Sequence, residues 1–420
     1  MLSPSIYSVC NQLHNILDQD IKLSLQLNNR RKSLVLQMIR DGNTQSFINA
    51  IESAVEYKKV IHRSSSGDEN NNNNKTINRC TDEQMRQLCY AKLNASPVDS
   101  SPTTTTTPPI LTRNMIDIIG KDIGQDINYP SIDTSNGDGL RIMSWNICSE
   151  ALAINYDRFE TLPEDQLRWS SRIWKIVLEI VNYSTIDVIC MQEVDCFDYL
   201  ISILSQLGYG GIFVPKPDSP CNYMANNSGP DGCAIFWRTD RLDLIKYSKR
   251  ILRVYSYKTN QVVLTATFKH RLSGRYVCIA NTHLKARRGP ILSAYRNEQG
   301  KDLLKYLLKK SKHMPLVVCG DFNAEPQEQV YRHLTSTTSS VLSSVYRQAL
   351  GSEPAFTTWT KRQGERQLKK TLDYIFVRKD CFSVKSVLSV DSKLLTKPIP
   401  NPWYPSDHLS LVTELTFIDK

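Results

Sequence analysis

The 420-residue chain contains no run of about 18 apolar residues, so it offers no ordinary membrane-spanning helix. It has no C-x-x-C pair, although cysteine is present 11 times, so a zinc ribbon or a thioredoxin-type redox centre has nothing to build on. Several cysteines sit inside apolar runs, as in "DVICMQE", "RYVCIANTH" and "PLVVCGD". That placement, with an odd total, predicts buried free thiols in a reducing compartment rather than disulfides. No G-x-x-x-x-G-K-[ST] loop occurs and no G-x-G-x-x-G follows a strand, which removes the sequence case for a P-loop or a Rossmann dinucleotide site. The first residues, "MLSPSIYSVCNQLHN", lack the basic region and apolar core of a secretory signal. They are free of acids as far as Asp18 but also of Arg and Lys. A cytoplasmic location is therefore expected, and a mitochondrial one stays open. A stretch such as "SLQLNNRRKSLVLQ" is too short to be a leucine-rich array.

What is present is unevenly distributed. Of the 52 basic and 42 acidic residues, positions 1–140 hold 14 and 15, so the remainder carries 38 against 27. All of the net +10 charge, and slightly more, belongs to the C-terminal two thirds. A basic globular region suits an anionic partner, a nucleic acid or a phosphorylated small molecule, although solubility alone also explains it. Residues 16–40 and 46–61 show helical periodicity, and the polar runs "SSSGDENNNNNKTINR" and "SSPTTTTTPP" are expected to be disordered. The pattern changes near Gly139. Alternating strands ("LRIMSWN", "DVICMQE", "GCAIFW", "RILRVYSY", "QVVLTATFKH", "RYVCIANTH", "PLVVCGD", "TLDYIFV", "FSVKSVLSV", "HLSLVTELTF") are interleaved with helical patterns. One such pattern, 168–184, places Trp169, Ile173, Ile176 or Val177, and Ile180 on one face. The expected division is 1–138, partly helical and then low-complexity, and 139–420, an α/β domain built as a largely antiparallel two-sheet sandwich flanked by helices.

Several strands end in residues that a core cannot use: Asn146, Glu193, His283, and Asp321 with Asn323 in "VVCGDFNAEP". Asp373 lies in "TLDYIF", and Asp407 with His408 in "YPSDHLSLV". Any one of these has a plain explanation as a cap, a solvated turn or a hydrogen-bonded structural residue. Together they describe a site built where strand ends converge. Side chains two apart on an extended chain share a direction, so Asp321 and Asn323 are expected to aim at one spot. Carboxylates and amide oxygens without paired thiols or a histidine cluster suit Mg²⁺, with Mn²⁺ as the alternative. A histidine beside an acid suits proton transfer, and the combination describes hydrolysis of a phosphate ester.

"SWNI", "MQEV", "NTHL", "GDFNAEP", "LDYIF" and "SDHLSL", in that order over residues 140–417, resemble the endonuclease/exonuclease/phosphatase superfamily. The resemblance implies the two-sheet sandwich with its site at one edge. It implies Glu193 as the principal Mg²⁺ ligand, with Asn146 beside it and Asp407 near the metal. Asp321 becomes the acid that orients or activates water, Asn323 and His283 hold the phosphate, and His408 is the catalytic histidine oriented by Asp373. "FVPKPDSPC", "GPDGCAIFW" and "THLKAR" resemble one branch of that family. For that branch the implied substrate is the 2′-phosphate of NADP⁺ and NADPH, gripped by Lys216, Lys285, Arg287 and Arg362, in a monomeric enzyme. The match is loosest around Arg362, in "KRQGERQLKK". The same cations suit an RNA backbone, so a poly(A) 3′-exoribonuclease and a non-catalytic RNA-binding scaffold stay as alternatives.

Overall fold

In the computed structural model, which describes residues 79–94, 111, 113–117, 139–183, 186–336, 341–390 and 395–418, the alternating segments assemble into two principal sheets. The first runs in the order β1 (Met115–Asp117), β14 (Phe382–Leu388), β15 (Leu411–Phe417), β2 (Gly139–Asn146), β3 (Val188–Val194), β5 (Gly232–Arg238) and β4 (Tyr209–Pro215). The second is β10 (Leu342–Ser344), β13 (Asp373–Arg378), β9 (Leu316–Asp321), β8 (Tyr276–His283), β7 (Tyr257–His270) and β6 (Leu242–Val254). A two-stranded ribbon, β11 (Thr358–Thr360) with β12 (Leu368–Lys370), stands apart. Pairing within the two sheets is antiparallel except for one parallel pair in each, β2–β3 and β8–β9.

Alternation decides which side chain goes to which layer. Leu140, Ile142, Val188, Cys190 and Ile235 face Leu264, Ile279, Val317, Cys319 and Ile375 across the space between the sheets. The intervening residues Met143, Trp145, Ile189 and Met191 turn outward and are covered by the helix Trp169–Asn182. All of Trp169, Ile173, Ile176, Val177 and Ile180 are buried, as their spacing requires. On the other outer face, Leu303, Leu304 and Leu307 of the helix Pro290–Ser311 cover Cys278, Ala280, Leu316 and Val318. The helix Phe197–Leu204 runs on through a 3₁₀ turn to Gly208, whose φ of 85° supplies the left-handed closing residue. "RILRVYSY" is not one strand, because a turn at Tyr255–Ser256 divides it between β6 and β7.

Two segments before Gly139 belong to the sandwich. The helix Asp82–Asn94 buries Met85 and Cys89 against the layer of the helix Trp169–Asn182, and β1 extends the first sheet along β14. A domain start near Gly139 leaves both out. Each is too short and too weakly patterned to show in the sequence. The periodic stretches 16–40 and 46–61 and the low-complexity runs 64–78 and 100–109 lie outside the described residues. None of the ten described cysteines is in a disulfide, and all but Cys80 are buried. Among the described residues no helix is long and apolar enough to cross a membrane.

One polar staple crosses the apolar space between the sheets. Asn281 on β8 donates to the carbonyls of Met191 and Ala234, at 2.8 Å each, and accepts from Gln192 Nε2 at 2.7 Å. All of these groups are buried, so none can turn to water. Asn281→Ala strands two carbonyls, each worth about 1–3 kcal/mol when left unsatisfied, and leaves Gln192 Nε2 with only its longer contacts to the Cys190 carbonyl at 3.3 Å and Ser144 Oγ at 3.4 Å. The expected loss is about 3 kcal/mol, read as a lower urea midpoint with an unchanged slope. A loss below about 0.5 kcal/mol, the range of ordinary surface substitutions, would show that the staple does not hold the sheets.

Candidate active site

Strand polarity brings the chemistry to one edge. The parallel pairs end their C-terminal residues there, and register sets Asp321 of β9 beside His283 of β8 on one side and Asp373 of β13 on the other. Gly320 precedes Asp321 because a Cβ at that position would lie 2.4 Å from the Thr282 carbonyl. Phe322 turns into the core against Tyr374 and Phe376. Asp321 and Asn323 do converge, but not by continued extension. The strand stops at Asp321, and Asn323 adopts φ 51°, from which its amide reaches His283 Nε2 at 2.9 Å and donates to the Leu284 carbonyl. Its backbone N–H donates to Asp321 Oδ1 at 2.8 Å. Glu193 is aimed by a different device, a register shift between Met191 and Val194 in which it takes φ 56°. Of the eight described non-glycine residues with positive φ, five (Cys148, Arg158, Glu193, Arg287 and Asn323) belong to this corner. Each such conformation costs about 1–3 kcal/mol and persists only when its surroundings impose it.

His408 and Asp373 form a buried pair, Nδ1 to Oδ2 at 2.8 Å. Thr357 donates to the same oxygen at 2.5 Å, and Trp145 Nε1 fixes the His408 carbonyl at 2.7 Å. Burial opposes a charge on the His408 ring, but Asp373, Asp407 and Asp321 outweigh it, and the ring holds its proton well above the ordinary histidine range. Nε2, the free edge, lies 3.8 Å from Asp321 and 3.9 Å from Asp407. His283 behaves oppositely: burial and the neighbouring Lys216 cation push it below the ordinary value. Asp321 is pushed up, first by burial and then by Asp373.

Asn146 at the tip of β2 donates to Glu193 Oε1 at 3.1 Å and to Asp321 Oδ2 at 3.0 Å, so one amide links three strand ends. Glu193 Oε2 accepts from the Ser149 backbone at 3.2 Å. Burial alone would push Glu193 up, but His283 and Lys216 reverse this and hold it ionised below the usual carboxylate value. An ionised glutamate with no thiolate nearby suits a hard divalent cation, and the Asn146 amide beside it turns its nitrogen to Glu193 while its oxygen accepts the Cys148 backbone N–H at 3.0 Å. Of the three residues expected around the metal, Asn146 and Glu193 are in contact, and Asp407 forms an ion pair with Arg362 at 3.3 Å while lying 3.9 Å from His408 Nε2. Among the described residues, possible ligand atoms of Asp321, Asp373 and His408 converge within 4.8 Å of one another. Since the His408–Asp373 hydrogen bond already occupies Nδ1, that group reads as a proton-handling pair beside an acid.

The four cations divide. Lys216 pairs at 2.5 Å with Asp231, a buried acid that the sequence reading passed over. Lys285 is pulled down by burial and then by Arg287 and Lys216, so these three share one positive corner next to His283. Arg287 is exposed, donates to the Tyr156 hydroxyl and lies over its ring. Arg362 lies elsewhere, held by Asp157 at 2.9 Å and by Asp407, with its guanidinium over Phe159. Asp157 was also missed; burial first, and then Asp407 and Glu193 against the pull of Arg362, push it up to about 7. Two buried arginines hold the frame. Arg172 donates to the carbonyls of Leu167, Ile147, Cys148 and Pro405, and Arg296 to those of Lys285 and Arg287. Their partners are backbone carbonyls of neighbouring segments, from Leu167, five residues away, to Pro405, 233 away, so no residue pattern announces them.

The model of the endonuclease/exonuclease/phosphatase family matches residues 143–408, and the chain belongs to that family. Among individual proteins it is similar to Nocturnin of Drosophila melanogaster, 40% identical over 305 residues, covering 67% of this chain and 47% of that protein. It is likewise similar to Nocturnin of Homo sapiens, 43% identical over 289 residues, covering 67% and 66%. The match thus spans less than two thirds of either relative. A carbon catabolite repressor protein 4 homolog of Arabidopsis thaliana is 28% identical over 381 residues, 72% of this chain and 61% of that one. The solved human Nocturnin catalytic domain, which carries a bound sulfate anion, superposes with a TM-score of 0.59 at 39% identity, covering 75% of this chain and all of that one.

Because its folded value is raised, protonated His408 stabilises the chain fully below the ordinary value near 6.5, and the contribution is lost as pH rises through the folded value. In EDTA, ring-nitrogen NMR should find His408 still protonated at pH 7. Asp373→Asn should move its titration to lower pH. Titration near 6.5 in both proteins would remove the carboxylates as the cause.

Proposed function

We propose that the chain is a Mg²⁺-dependent phosphatase that removes the 2′-phosphate of NADP⁺ and NADPH, yielding NAD⁺ and NADH. The observation that carries the proposal is the meeting, at one sheet edge, of the His408–Asp373 pair at 2.8 Å, the Asn323–His283 contact at 2.9 Å and the cations that follow β8 and β4, Lys285, Arg287 and the Asp231-paired Lys216. A dinucleotide with a pyrophosphate and a separate monoester needs such an arrangement, cations for the anchoring phosphates and donors at the reacting one. The bound sulfate of the human Nocturnin catalytic domain fits an anion-accepting surface in a similar chain.

The residues divide the work. The Asn323 amide and His283 are placed to hold phosphoryl oxygens, and Asp321 to accept the proton of the attacking water. Protonated His408, oriented through Nδ1 by Asp373, presents Nε2 to the phosphoryl group, where charge develops. The water oxygen bonds to phosphorus, the bond from phosphorus to the ribose 2′-oxygen breaks, and that oxygen leaves with a proton as the 2′-hydroxyl. A Mg²⁺ held by Glu193 and Asn146 would supply positive charge between the attacking oxygen and the phosphate. Arg362 is already committed to two carboxylates, so its contact with substrate requires an exchange of partners.

Purified protein with Mg²⁺ should release inorganic phosphate from NADPH and leave poly(A)-tailed RNA at full length. Glu193→Gln should lower the rate by at least about 100-fold, the scale for losing a single charge-stabilising group. Tail shortening without phosphate release would establish the exoribonuclease reading instead. RNA affinity with neither reaction would establish the scaffold.

A further inference from the structure

Residues 244–261, "LIKYSKRILRVYSYKTNQ", contain five cations, three tyrosines and no acid. They form most of β6, the turn Tyr255–Ser256 and the start of β7, at the free edge of the second sheet. Only Arg250 has an acidic partner among the described residues, Asp302 at 2.6 Å, and the same carboxylate also accepts the Arg253 backbone N–H. Arg253 and Lys258 face each other directly across the hairpin, an arrangement of like charges that costs stability. Tyr247, Tyr255 and Tyr257 are 57%, 80% and 80% exposed. Lysines on an edge strand also guard against edge-to-edge pairing, which accounts for Lys246 and Lys249. That device does not explain two bare tyrosines at the tip between opposed cations.

The hairpin is joined to the cleft. Asp218 donates its backbone N–H to Asn260 Oδ1 at 2.7 Å, and the Asn260 amide donates back to the Asp218 carbonyl, two residues from Lys216. Gln261 accepts from Gln299 Nε2 at 2.7 Å, and Gln299 Oε1 accepts the backbone N–H of Lys285 at 3.1 Å. The hairpin is thus tied to the positive corner through Asp218 and Gln299, with Asp231 at Lys216 and Asp302 at Arg250 as the acids beside that path.

We propose that the β6–β7 hairpin is a docking surface for a single-stranded polynucleotide, whose phosphates follow Lys246, Lys249, Arg253 and Lys258 while unpaired bases stack on Tyr255 and Tyr257. Charge complementarity selects a polyanion. The exposed rings select one with free aromatic faces, because base–tyrosine stacking needs bases that a duplex hides. The surface lies apart from the residues that handle the reacting phosphate, so it stands whichever ester the centre cleaves.

The test is fluorescence anisotropy of a fluorescein-labelled 20-nucleotide oligoadenylate titrated with the full chain in EDTA, which withholds the metal needed for cleavage. Y255A/Y257A and R253E/K258E should each weaken binding at least tenfold, while both variants melt like the parent and release phosphate from NADPH at rates within twofold of it. A blunt duplex of equal length should bind more weakly than the single strand. The proposal is overturned if both double variants bind oligoadenylate like the parent, if the duplex binds as tightly as the single strand, or if the parent binds phosphatidylserine vesicles and no oligonucleotide.

Discussion

The corner where strand tips meet is organised by negative charge held out of water. Glu193, Asp321, Asp373 and Asp407 sit at strand or loop ends, with Asp157 alongside, and all are buried or nearly so. Taking a carboxylate from water is expensive, and like charges compound the cost. The fold offsets it with a small number of partners, each serving more than one acid. Asn146 links Glu193 to Asp321, His408 serves Asp373 and faces Asp321 and Asp407, and Arg362 spans Asp157 and Asp407. Removing any one of these leaves several charges short of a partner, so the site is specified as a unit. The same excess of buried anionic oxygen would attract a cation.

Backbone strain is the second half of this arrangement. A strand delivers side chains at intervals of two, which is too coarse to gather Asp321, Asn323 and His283, whose polar atoms lie 2.8 to 3.5 Å apart. Left-handed residues at Glu193 and Asn323 re-aim single side chains without moving the sheets. The strain is held by the packing behind it: Phe322 locked among Tyr374, Tyr331 and Phe376, and Trp145 pinned to the His408 carbonyl. Stability is spent in the interior to fix geometry at the edge.

The parts legible in the sequence are those whose signal is local. Short apolar runs ending in polar residues marked β2, β3 and β9, which are buried on both faces, and period 3.6 marked the helix Trp169–Asn182, which buries the face its spacing sets. Polar residues ending apolar runs marked Asn146, Glu193, His283 and Asp321. The unread parts are those defined by distant partners. Asp231 lies in a loop and Asp157 ends the π-helical turn Ala153–Asp157, places where an acid is ordinary, and only folding shows that each neutralises a cation. Arg172 and Arg296 resemble solvent-facing helix positions, yet both are buried. The helix Asp82–Asn94 commits only Met85 and Cys89 fully to the core, too few to draw a stripe.

Arg172 and Arg296 also show how the two halves of the site are kept in register. Arg172 gives its donors to four backbone carbonyls and so fixes chain path, whereas Arg296 holds two carbonyls and pairs with Glu328. Arg172 gathers the loop after β2 together with Pro405, and thereby sets Cys148 and the approach to Asp407 and His408. Arg296 gathers the carbonyls of Lys285 and Arg287 and anchors them to Glu328, so the positive corner is held from beneath by the helix Pro290–Ser311. A rigid five-donor fork can collect several carbonyls at once, which a lysine cannot do. The acidic centre and the positive corner are thus set by different helices on opposite outer faces of the sandwich, and they meet only at the edge, where Glu193 feels both His283 and Lys216.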